Sequence, residues 1–230
     1  MPKSWKEALT TYSYPVDMKC YEKAREFPGF FCTVIKGDRN STMAFEDHYQ
    51  KLAPTEIAAF FEVVFWKLYS QRNRCQKGTT RIVDFVQETV ITPERLWEAV
   101  QLFVRTQTRE NLKRIRGALG IRTDVLAVPL TLPALASLET IPMIDNQVAR
   151  WVTHNYIDHN TNRVATLAPF EMNYTSLRDN DFSSYLRWVH WCREVAQVLT
   201  NLTAQRWRAR DIEMAVFTAQ RNGMALNVLP

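Results

Sequence analysis

The chain has 230 residues, 46% hydrophobic and 23% charged, with only 6 glycines and 10 prolines. These totals suit one domain, or two small packed ones, with a substantial core, and they exclude a linker-rich or low-complexity chain. A net charge of +5 and a pI near 9.1 permit a nucleic-acid partner without demanding one.

No apolar run reaches the roughly 18 residues of a membrane span. The N-terminus, Met1 to Glu7, lacks the apolar core of a signal peptide, so a cytoplasmic protein without membrane contact is expected. Cys20, Cys32, Cys75 and Cys192 lie far apart with no Cys-x-x-Cys pair. That spacing argues against zinc or an iron–sulfur cluster and for reduced, buried thiols.

In chain order, a short helix over Ser4 to Leu9 leads to a Tyr/Pro loop, and a second helix spans about Asp17 to Phe27, ended by Pro28-Gly29. Phe30 to Ile35 is the one stretch with strand character, and Gly37 to Ser41 is a turn cluster. Met43 to Leu52 reads as a helix. Pro54 suits the first turn of the next, whose apolar face is Ala58, Phe61, Val64, Phe65, Leu68 and Tyr69, running to about Arg72. After a loop from Asn73 to Thr79, helices are expected over Thr80 to Val90, from Thr92-Pro93 to about Arg105, and from Thr108 to Gly117. Beyond Gly120 a helix runs to about Val128, where Pro129 breaks it, and Pro133 to Leu138 is a short apolar piece.

Thr140 to Val152 concentrates the signals. Pro142 makes Ile141 extended, and Ile144, Val148, Trp151 and Val152 then fall at i, i+4, i+7 and i+8. Asp145 is thereby expected in the first turn of a helix, beside its buried stripe. A carboxylate there caps the helix, worth about 1 kcal/mol. Ile157 to Asn180 is polar and turn-rich, Ser183 to Leu202 is a long helix, Arg208 to Asn222 is the last, and Met224 to Pro230 is a tail. The class is all-α with about ten helices and no internal repeat.

Phe182, Tyr185, Trp188 and Trp191 recur every third residue, as core positions of an amphipathic helix do. His154, Asp158 and His159 read as a helix end running into a turn, and His48 and His190 have no partner pattern, so neither metal nor cofactor is expected. There is no Walker loop, dinucleotide fingerprint or Gly-x-Ser-x-Gly elbow. Cations gather at Arg109, Lys113, Arg114, Arg116 and Arg122, with Glu110 the only acid among them. Such a cluster is either a solvated face or a set of phosphate contacts.

The run Ile141-Pro142-Met143-Ile144-Asp145, with Val148 and Arg150 beyond it, resembles the segment carrying the catalytic aspartate in helix-hairpin-helix DNA glycosylases. Leu112 to Thr123, holding Gly117 and Gly120, has much of the shape of that family's hairpin. The glycines are spaced Gly-x-x-Gly, and Gly120 lies farther from Asp145 than usual by about one helical turn. A hairpin at Val128 to Leu132 would shorten that distance but has no glycine.

The resemblance implies an all-α fold of two packed lobes with a cleft, residues 55–150 forming one and 1–54 with 151–230 the other. It implies a monomer acting on double-stranded DNA and hydrolysing the N-glycosidic bond of a flipped, damaged base. Asp145 would be the catalytic residue, and Lys113, Arg116, Gly117, Gly120, Arg122, Gln147 and Arg150 the DNA contacts. The family's lyase members carry a lysine in the hairpin region. Gly117 to Leu138 holds none, which implies a monofunctional enzyme. The alternative is a non-catalytic DNA- or protein-binding module of the same fold, in which Asp145 only caps its helix.

Overall fold

The computed structural model describes residues 3–14, 37–68, 75–121, 126–154 and 179–227. Among them stand ten helices: α1 (Lys3–Thr10), α2 (Arg39–Leu52), α3 (Ile57–Leu68), α4 (Cys75–Glu88), α5 (Pro93–Arg105), α6 (Arg109–Ala118), α7 (Ala127–Ala136), α8 (Asn146–His154), α9 (Asp179–Thr203) and α10 (Ala209–Asn222). No strand forms among the described residues, where a lone bridge joins Ser13 to Asp38. The expected Asp17–Phe27 helix and Phe30–Ile35 strand lie outside the described residues, as does most of 157–180. No described helix is long and apolar enough to cross a membrane.

Helix starts follow local chemistry. Thr92 accepts the Arg95 amide at 3.3 Å with Pro93 in the first turn, and Thr108 accepts that of Asn111 at 3.2 Å. Asp38 accepts the Ser41 amide at 2.8 Å, so the cluster read as a turn is the cap and first turn of α2. Pro54 sits in the turn before α3, not inside it.

Two other expectations fail because packing overrides propensity. The helix expected from Thr80 begins at Cys75. Gly78 falls inside it, where α3 lies so near that a Cβ would meet Leu68 Cδ1 at 2.9 Å. Pro129, read as a break, and Pro133, read as opening a short apolar piece, both lie within α7. Pro129 is in the first turn, where backbone N–H groups have no helical acceptor. Pro133 does remove a helical bond, but every residue from Pro129 to Leu135 is buried. Several side-chain burials at about 1.5–3 kcal/mol outweigh a proline cost of about 3 kcal/mol.

The chain forms two compact units, Met1–Tyr12 with Ser137–Pro230, and Ser13–Ala136. α2 belongs to the second unit, and α8 to the unit of the termini. In the first unit α10 is the central helix, buried from Ala209 to Ala219 and packed by α1, α8 and α9. Trp191 of α9 gathers Trp5, Trp151 and Trp188 at ring distances of 6.2, 5.6 and 5.3 Å. In the second unit α7 is central, contacted by α2, α3, α5 and α6, while α3 is buried from Ala59 to Leu68.

Candidate functional site

Asp145, expected in the first turn of a helix, lies at the end of a non-helical run, 141–145, and α8 starts after it, at Asn146. Ile141, Met143 and Ile144 are buried, while Asp145 is half-buried. Its Oδ1 accepts the Val148 amide at 2.9 Å, the geometry of a helix N-cap. Among the described residues Oδ2 has no hydrogen bond.

What fixes that carboxylate is the segment before it. Tyr185 Oη donates to the Pro142 carbonyl at 3.1 Å, Trp188 Nε1 to Met143 at 3.0 Å and Arg193 Nε to Thr140 at 2.8 Å. From the start of α10, the amides of Ala209 and Arg210 reach the Glu139 and Leu138 carbonyls at 3.3 and 3.0 Å. Five carbonyls of one irregular strap are thus satisfied by α9 and α10, as buried backbone requires. Burial raises the Tyr185 hydroxyl well above its ordinary range, so it stays a donor. Burial also lowers the Arg193 guanidinium somewhat, against the nearby Tyr185 and Cys192.

Sequence reasoning missed this strap. Phe182, Tyr185, Trp188 and Trp191 are core residues as expected, all buried. Yet the polar tips of a buried Tyr and Trp need acceptors, and a proline-containing extended run supplies spare carbonyls. That was the available signal.

Gln147 is half-buried on α8 and Arg150 is exposed on the same helix, so these two and Asp145 share one short stretch of the first unit. Lys113, Arg116, Gly117 and Gly120 belong to the second unit, on α6 and its end. Arg122 lies outside the described residues, as do Asp158, His159 and the side chain of His154. Lys113 bonds Glu110 at 2.7 Å, a solvent-screened surface pair.

The glycine turn is a helix stop. Gly120 has φ +63° and its amide donates to Gly117 O at 3.0 Å, while the Ile121 amide donates to Arg116 O at 3.1 Å. This pair of bonds is the Schellman arrangement. A Cβ at Gly120 would lie 2.2 Å from the Phe85 ring, so glycine is required twice over. The Gly120 and Ile121 amides are therefore both spent on carbonyls of α6.

Neither histidine left without a partner by the sequence lacks one. His48 Nε2 meets the buried Glu62 Oε2 at 2.9 Å, and His190 Nε2 meets Glu194 Oε1 at 2.9 Å, one helical turn away. Compared with known protein families, curated proteins and solved structures, the chain matches none of them.

Proposed function

We propose that the chain is a monofunctional DNA glycosylase-type hydrolase in which Asp145 assists cleavage of an N-glycosidic bond. The observation that carries this reading is a half-buried carboxylate, fixed by one cap bond at the end of a strap held through five of its carbonyls, with its second oxygen uncommitted. As the base departs, the sugar develops positive charge. Oδ2 would stabilise that charge and take a proton from the attacking water. Because the carboxylate is already oriented, little reorganisation opposes the reaction. The target base would be flipped from the duplex before cleavage. With the glycine-turn amides committed, anchoring to phosphates falls to side chains such as Lys113 and Arg116, which release counterions without reading sequence.

A second reading has its own support. A helix stop that spends both its free amides is what a non-catalytic helical module would also carry. Base release from a panel of lesion-bearing duplexes, scored as alkali-labile abasic sites, separates the two. The hydrolase reading predicts release by the wild type and a loss of about 100-fold or more in Asp145→Asn, which retains a capping side chain. DNA binding without release from any lesion would favour the module.

A further inference from the structure

Between α5 and α6, wholly within the second unit, runs a groove of about 460 Å³. Ile91 and Leu102 give it apolar walls, Arg95 and Arg114 bring two guanidinium groups, and Glu98 brings one carboxylate. Gly117 lines the groove from α6, and a Cβ built there meets nothing within 4 Å. Both arginines are exposed, and neither donates a hydrogen bond to another described residue.

We infer that this groove binds a nucleotide, with the phosphate on Arg95 and Arg114, the base against Ala99 and Leu102, and a sugar hydroxyl or base amine on Glu98. Three properties of the lining select this class together. Guanidinium pairs match the oxygens of a phosphate better than any other side chain does. The apolar walls call for a flat hydrophobic body, and the volume lies in the range of small-ligand sites. Glu98 disfavours a simple fatty acid, which has no donor to offer it, whereas a nucleotide has several. Gly117 keeps the α6 side of the groove open where any larger residue would occupy it. None of these residues touches the chemistry proposed for Asp145, so either reading can fail without the other.

The same chemistry is available from a free nucleotide or from the phosphorylated end of a strand. The test is titration of the full chain with adenosine 5′-monophosphate, adenosine and a 5′-phosphorylated oligoadenylate. Saturable binding of the monophosphate is expected, weakened about tenfold or more in Arg114→Ala and in Arg95→Ala. Gly117→Leu should abolish binding while melting no lower than the wild type, because its side chain enters open space. Lys6→Ala, exposed on α1 and outside the groove, should bind as the wild type does. Tighter binding of the oligonucleotide than of the monophosphate would assign the site to a strand end, and equal or weaker binding to the free nucleotide. Adenosine binding as well as its monophosphate, no saturable binding, or variants indistinguishable from the wild type would each overturn the inference.

Discussion

Val90 and Gly120 solve the same backbone problem with opposite side chains. Each ends a helix in the left-handed region, at φ 51° and 63°, and each is followed by an isoleucine whose amide reaches back to Val86 or Arg116 at 3.1 Å. A β-branched residue is strained there. Val90 is 79% exposed, so packing offsets little of that strain. Val90→Gly should therefore raise stability by about 1 kcal/mol. Gly120→Ala should lower it by about 2 kcal/mol or more, since the new methyl meets Phe85 in a conformation it disfavours. Denaturant unfolding of both variants reads the two signs. If both destabilise, the left-handed stop at Val90 is wrong. The pair also shows what sequence conveys poorly. Gly120 was noticed for its spacing, as a hairpin glycine, whereas its conformation and the nearby Phe85 explain it without a ligand.

At the scale of elements, local signals were legible and tertiary ones were not. Thr92-Pro93 and Thr108 open α5 and α6 where their capping chemistry says they should. The early start of α4 at Cys75 and the two prolines inside α7 depend on Leu68 and on the burial of Pro129–Leu135, which no local window contains. His48 and Glu62 are a further case, joining α2 to α3 through residues 14 apart. Burial, then repulsion by Lys51, lowers the His48 imidazole below its ordinary 6.5, with its Nε2 2.9 Å from Glu62 Oε2. The unfolded chain takes up a proton on this residue before the folded one does. Its contribution to stability is therefore complete above 6.5 and falls as pH drops toward the lowered folded value. Thermal unfolding from about pH 7 to about pH 5.5 should show this slope flattened in His48→Gln. An unchanged slope would remove His48 from the account.

At the scale of the molecule, the two chain termini share one unit and a continuous central segment makes the other. The boundary lies at Ala136 because α7 is buried up to that point, while the strap beyond it is bonded to α9 and α10. Asp145 therefore takes its support from the C-terminal helices, and its motif spacing alone could not reveal Tyr185, Trp188 and Arg193 as its scaffold. In the proposed reaction Asp145 does more than cap α8: its second oxygen would meet a sugar cation. That claim can be tested without knowing the damaged base, by comparing duplexes that carry a cationic pyrrolidine or a neutral tetrahydrofuran in place of one nucleotide. The wild type should bind the cationic duplex about tenfold or more tightly than the neutral one, as a transition-state charge mimic requires, and Asp145→Asn should lose that preference. Equal affinities in the wild type would contradict the account and leave Asp145 a helix cap.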